Sequence, residues 1–257
     1  MLFSKAVIFV EGIAEQLLMP TFIRYFEKRK EEPKTIEDYH ISIININGRY
    51  FEHFLKLFNI TRTGAINKKI VCITDVDCQR MKNSKGNKFE KCYPFELDLC
   101  QAEFEYKDCS NNFITNNREK SSNIKIFHQK FKEGKTFEYS LMFENIDDNL
   151  LTNSIKNKLE LEKMIKDFKE KKTIVELLEH LSKSDENKRI KEGIKGNLIN
   201  SVDEEILKKH LISARYLNSI EKGEHALELA EILEDKIDQF DLQIPSYMEE
   251  AIEWICK

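Results

Sequence analysis

Residues 6–15, AVIFVEGIAE, decide how the first half of this chain reads. An apolar, β-branched run ends abruptly at Glu11 and Gly12. From Ala14 the pattern changes to helical spacing, with Leu17, Leu18, Phe22, Tyr25 and Phe26 recurring to about Arg29. A run without polar alternation fits a strand buried on both faces, as in a parallel sheet. ISIINI (41–46) and KIVCIT (69–74) have the same character. Between them a second helical pattern, Arg49 to Asn59, gathers Phe51, Phe54, Leu55 and Phe58 on one face. Strand, helix, strand, helix, strand predicts right-handed crossovers and a parallel sheet, fold class α/β. Pro20 lies inside the first helical pattern and is expected to kink that helix or mark its effective start.

Further along, the pattern is mixed. Residues 78–91 are polar and basic (Arg80, Lys82, Lys85, Lys88, Lys91), which suggests an exposed loop. NNFITNN and NIKIFHQKF follow without a clear period, and KTFEYSLMFEN (135–145) reads as the start of a helix. From about residue 150 onward the signal is helical: 154–183, about 202–217, about 222–238, and a last short helix, PSYMEEAIEWI, from Pro245.

Composition narrows the function classes. The net charge is −4, so a basic surface over the whole chain is not a basis for nucleic-acid binding, and a local patch must supply it. No apolar run approaches the ~20 residues of a membrane span. The AVIFV run, cut short by Glu11, falls below a secretory core of ~7–15 residues. A cytoplasmic protein with no membrane partner is expected. Cys72, Cys78, Cys92, Cys100, Cys109 and Cys256 form no C-x-x-C pair, and the histidines lack ligand spacing, so neither zinc nor a disulfide framework is expected.

The chemistry concentrates at strand ends. Glu11 stands at the carboxyl end of the first strand, where open α/β sheets bind ligands. Gly12 permits a tight turn, and Glu15 falls on the first turn of the next helix. Two carboxylates so placed can face one point, and oxygen clusters of this kind suit a hard cation such as Mg²⁺. The third apolar run ends in Thr74, Asp75, Val76, Asp77. Because strand side chains repeat every second residue, Asp75 and Asp77 point the same way, an expensive pairing without a cation. The bland reading is a helix-start glutamate and an aspartate turn. Gln79 and Met81 rule out a calcium-binding EF-hand loop.

Glu-Gly on one strand and Asp-x-Asp on the third resemble a Toprim domain, the metal-binding module of topoisomerases, primases and several nucleases. FVEGIAEQLLMPTF (9–22) and NINGRYFEHFLKLF (45–58) are most similar to the OLD family, the Gabija-like nucleases. TFEYSL (136–141) resembles a later acidic element of that family, which makes Glu138 a further metal ligand. Residues 221–233 and 244–255 resemble its closing helices, in which a lysine enters the active site, here Lys222. The sequence departs from the family at Gln79, where some members carry a small hydroxyl residue, and residues 150–200 do not align.

The resemblance implies a Toprim catalytic core over 1–100, the remainder of the nuclease region over 101–150, and a helical region over 151–257 that closes over the active site with Lys222. It implies a DNA endonuclease using two Mg²⁺ or Mn²⁺ ions held by Glu11, Glu15, Asp75, Asp77 and Glu138. Glu11, Asp75 and Lys222 are its catalytic residues, and Lys82, Lys85 and Lys88 contact DNA phosphates. A role in antiviral defence is expected.

Full OLD-family proteins carry an ABC-type ATPase domain ahead of the Toprim module. Such a domain or subunit, with a helicase subunit as a further candidate, is therefore the expected partner, in a homo-oligomeric assembly. Gly134-Lys135-Thr136 resembles a nucleotide-binding loop, but Gln129 stands where that loop needs glycine, so no nucleotide is expected to bind. Two alternatives stay open: a strand-passage or primer-synthesis enzyme on the same core, and a metal-dependent DNA-binding or assembly module.

Overall fold

The computed structural model describes residues 3–83, 88–97, 104–107, 121–130, 133–199 and 202–257. Strands and helices follow in chain order as β1 (Ala6–Val10), α1 (Ile13–Glu27), β2 (Ile41–Asn45), α2 (Phe51–Leu55), β3 (Lys69–Ile73), β4 (Gln79–Lys82), β5 (Glu90–Lys91), β6 (Phe104–Lys107) and β7 (Ile124–Phe127). The remaining described α-helices are α3 (Phe137–Glu144), α4 (Lys158–Lys169), α5 (Ile174–Glu179), α6 (Asp185–Ile199), α7 (Glu204–Leu217), α8 (Lys222–Asp235) and α9 (Ser246–Cys256). The chain divides into two compact units, residues 1–75 with 111–129 and 222–257, and residues 76–110 with 130–221.

The first unit is built on a parallel sheet of order β2-β1-β3-β7. β1 is fully buried, as its unbroken apolar run requires, with Ile8 opposite Ile43 on one side and Val71 on the other. Alternate residues point to opposite faces. Val7 and Phe9 therefore join Ile70 and Cys72 on the face covered by Phe51, Leu55 and Phe58. The Phe9 ring lies 5.8 Å from that of Phe54 and 6.1 Å from that of Phe58. α1 packs against α8, where Tyr25 Oη donates to the Leu233 carbonyl at 2.9 Å, and α9 packs against β3 and β7.

Three features of this unit differ from the sequence reading. β2 is an edge strand in which only Ile41 is buried, so its apolar run marks one covered face. Pro20 lies well inside α1, which already begins at Ile13, and does not mark the helix start. The stretch that lacked a clear period, NIKIF, supplies the fourth parallel strand, with Cys72 opposite Ile126.

In the second unit β4 lies between β5 and β6 in antiparallel pairing. The polar run 78–91, read as a loop, is thus partly strand. Its one arginine is matched within the unit: the Arg80 guanidinium meets Glu90 at 3.2 Å and Glu96 at 2.9 Å, and stacks 4.4 Å from the Phe104 ring centre. Helices α3 to α7 make up the rest, with side chains at several starts accepting the orphan N–H groups. Thr173 and Glu176 form a reciprocal capping box at α5, and Asp203 caps α7. The Tyr93 and Phe95 rings stack at 5.1 Å, and Gly193 of α6 lies so close to Phe95 that a Cβ would come within 2.8 Å of it.

His210 of α7 is buried among Phe95, Tyr139 and Phe143, and the Tyr139 hydroxyl meets its Nδ1 at 2.7 Å. Burial pushes its pKa down to about 4. An unfolded histidine takes its proton near pH 6.5, so the folded state refuses a proton that the unfolded state accepts. Stability is therefore lost as pH falls through that window toward about 4. His210→Gln, which keeps a hydrogen-bonding side chain without the titration, is expected to lose less. A urea titration of both proteins near pH 7 and near pH 4.5 is expected to separate their losses by on the order of a few kcal/mol.

Candidate functional site

The first unit places Glu11 and Asp75 at the same edge of the sheet, because β1 and β3 run parallel with Val10 opposite Ile73. Each residue follows its strand by one or two positions, so both carboxylates emerge beyond the carboxyl ends. Their setting is polar and specific. The Thr74 hydroxyl donates to Glu11 Oε1, and the Asp75 amide donates to the same oxygen at 3.3 Å. The Arg49 guanidinium lies 3.5 Å from the other carboxylate oxygen. The Glu11 carbonyl accepts from Gly48 N at 2.9 Å, which ties the turn after β2 to the end of β1.

Glu15 lies one turn into α1, and it is buried. Gly12, extended at the helix start, has its place set by this carboxylate: a Cβ there would come within 2.9 Å of Glu15 Oε2. Glycine is thus needed for close approach, since its φ of −136° is open to any residue.

Asp75 is held from the opposite side. Gln129, just past β7, donates from Nε2 to Asp75 Oδ1 at 2.7 Å and to the Tyr247 hydroxyl of α9 at 3.1 Å. Lys222, the first residue of α8, is exposed. A Cβ on the next residue, Gly223, would lie 3.7 Å from Ile13, so the starts of α8 and α1 are neighbours.

The second unit holds the other acidic residues read from the sequence. Asp77 is buried in a left-handed conformation, φ 48°, with its amide donating to the Lys135 carbonyl at 3.2 Å. Lys91 Nζ lies 3.1 Å from both of its carboxylate oxygens. Glu138 is buried in the first turn of α3, where Thr136, the helix cap, donates to its Oε2 at 2.9 Å. Burial, and then the Glu138 charge, push the Tyr216 phenol well above its usual range. Lys82, at the end of β4, and Lys88 are exposed, and Lys85 lies outside the described residues.

The structure thus brings Glu11 and Asp75 together, with Glu15 and Lys222 on the adjoining helix starts, and places Asp77 and Glu138 in the other unit. Among the described residues, no three histidine, cysteine, aspartate or glutamate side chains stand close enough to enclose an ion. Sequence reading missed Thr74, Arg49, Gln129 and Tyr247. Thr74 alone carried a signal, as a hydroxyl beside the Asp-x-Asp pair. Cys72, Cys78 and Cys92 are buried thiols, and Cys100 and Cys109 lie outside the described residues. No helix among the described residues is long and apolar enough to cross a membrane.

Comparison with known proteins adds several likenesses. The family model for the "Overcoming lysogenization defect protein-like, TOPRIM domain" matches residues 2–77. "Endonuclease GajA" of Bacillus cereus (strain HuB5-5) is 27% identical over 161 residues, 60% of this chain and 22% of that protein, so the alignment spans about a fifth of that relative's length. The C-terminal region of the Burkholderia pseudomallei OLD protein aligns at 19% identity and TM-score 0.45, covering 98% of this chain and 97% of that one. The corresponding region of the Xanthomonas campestris pv. campestris OLD protein gives 18% and 0.44, covering 100% and 96%. Likenesses this distant carry nothing about the site. The matched range contains Glu11, Gly12, Glu15, Asp75 and Asp77, and over residues 2–77 the chain is similar to the OLD-like Toprim family.

Proposed function

We propose that this chain is the catalytic module of a divalent-metal-dependent DNA endonuclease. The observation that carries the reading is the pair Glu11 and Asp75 at the carboxyl edge of a parallel sheet, joined through the Asp75 amide, within an OLD-like Toprim domain. The donor set is of the kind a hard cation takes: carboxylate oxygens from Glu11, Glu15 and Asp75, with no thiol or imidazole among them. The space over Gly12, which a Cβ would fill, lets the Glu15 carboxylate lie back over the turn. Metal ligation by Asp77 and by Glu138 is proposed as well. Mg²⁺ or Mn²⁺, two ions in the full site, would supply Lewis acidity that draws charge off a phosphodiester.

The chain's own residues do the rest. Thr74 and the Asp75 amide fix the Glu11 rotamer by donating to one oxygen. Arg49 balances the charge on the other, and it can pair with a phosphate oxygen in a charge-assisted bond. Lys222, at the start of α8, offsets charge developing on the scissile phosphate. Lys82 and Lys88, both exposed, together with Lys85 are proposed to add sequence-independent attraction to the DNA backbone. The relative named as an endonuclease supports this reading. An antiviral role and an ABC-type ATPase partner are proposed with it.

Supercoiled plasmid incubated with the protein and Mg²⁺ or Mn²⁺ is expected to become nicked or linear, and EDTA is expected to stop it. Intact plasmid with every divalent metal, from folded protein, would leave a binding or assembly module. Gly12→Ala is expected to push the Glu15 carboxylate aside while costing little stability, since the atom met is the far end of a flexible side chain. Calorimetric titration with Mn²⁺ is expected to show affinity lower by on the order of tenfold, at an unchanged melting temperature.

A further inference from the structure

Gln129 entered the sequence reading only as the residue that spoils a nucleotide-binding loop, yet it is the group that holds Asp75. We propose that Gln129 is a positioning residue for the metal centre, setting the Asp75 carboxylate through its side-chain amide; this rests on the metal-dependent reading above. A carboxamide nitrogen carries two hydrogens. One is directed to Asp75 Oδ1 at 2.7 Å and the other to the Tyr247 hydroxyl at 3.1 Å. All three residues are buried, at 9% exposure or less.

The amide is itself pinned. Gln129 follows β7, whose Phe127 carbonyl accepts from Thr74 N at 3.1 Å, so the strand that carries Gln129 is bonded to the chain just before Asp75. Tyr247 lies in the first turn of α9, which packs on β3 and β7. Rotation of the Asp75 carboxylate would leave a buried N–H without this acceptor, a costly state. An amide also differs from a lysine or arginine in the same place: it fixes the carboxylate by a hydrogen bond and leaves the full negative charge for a cation. Outer partners of metal ligands act in this way on affinity.

The continuous path is Tyr247 to Gln129, Gln129 to Asp75, and the Asp75 amide to Glu11. It ties the last helix to both acids at the sheet edge.

The test is Mn²⁺ binding, read from loss of the free-ion EPR signal, on the whole chain in the absence of DNA. Gln129→Met keeps the length and volume of the side chain and removes the donors. It is expected to weaken Mn²⁺ binding on the order of tenfold. Tyr247→Phe, which removes one anchor and leaves the ring packed, is expected to weaken it less, in the same direction. Asp75→Ala with Gln129→Met is expected to bind no more weakly than Asp75→Ala alone, because the amide acts only through that carboxylate.

Three results would overturn the proposal. The first is wild-type affinity in both Gln129→Met and Tyr247→Phe. The second is a Gln129→Met loss that multiplies with that of Asp75→Ala, as a general loosening of the fold would give. In either case, with wild type binding Mn²⁺ and Asp75→Ala impaired, the metal reading stands and only the positioning role falls. The third, no Mn²⁺ bound by folded wild-type protein, removes both.

Discussion

Asp75→Ala is expected to abolish metal-dependent plasmid cleavage, lowering the nicking rate by on the order of 10³-fold or more, about 4 kcal/mol in activation free energy. Asp75 is tied into the first unit through both side chain and backbone: Gln129 holds its side chain, and its amide holds Glu11. Removal deletes a ligand and leaves the buried Gln129 amide without its carboxylate. Asp75→Asn separates charge from shape, since its carbonyl oxygen can still accept from Gln129. Both variants are expected to stay folded, and both to lose cleavage in Mg²⁺ and in Mn²⁺. Nicking by either at the wild-type rate would mean that the chemistry lies elsewhere in the chain.

The second large effect lies one step below the chemistry, in the packing that holds β1. Phe9→Ala is expected to cost about 3–5 kcal/mol of stability, the range for truncating a fully buried aromatic side chain. Phe9 sits two residues before Glu11, fully buried between Phe54 and Phe58 and opposite Cys72 in β3. Neither neighbour can fill the space easily, because both belong to the short α2 and the turn after it. Urea denaturation followed by circular dichroism measures the loss. A change below about 1 kcal/mol would show that this face of the sheet carries little of the stability.

How far the sequence disclosed this molecule follows from where each signal came from. β1 and β3 were legible because central parallel strands are buried on both faces and read as unbroken apolar runs. Glu11 and Asp75 were legible because acids that close such runs fall at the ligand-binding edge of the sheet. β7 escaped because it is an edge strand with exposed Lys125 in its middle, so its apolar residues seem scattered.

The run 78–91 was misread because its lysines and arginine suggest a solvated loop. Backbone pairing with 104–107 and the match of Arg80 to Glu90 and Glu96 make part of it strand. Gln129 and Tyr247 stand 54 and 118 residues from the partners they touch, and no local pattern marks such contacts. The glutamine could only be read as a missing glycine.

Crystals grown with Mn²⁺, with an anomalous difference map calculated at the manganese edge, give the most direct test of a metal centre on the acids at the sheet edge. The account requires an anomalous peak with oxygens of Glu11, Glu15 and Asp75 at about 2.1 Å, the spacing of a small hard divalent ion. A map with no peak at these carboxylates, from crystals in which the protein is folded and Mn²⁺ is in excess, would contradict it.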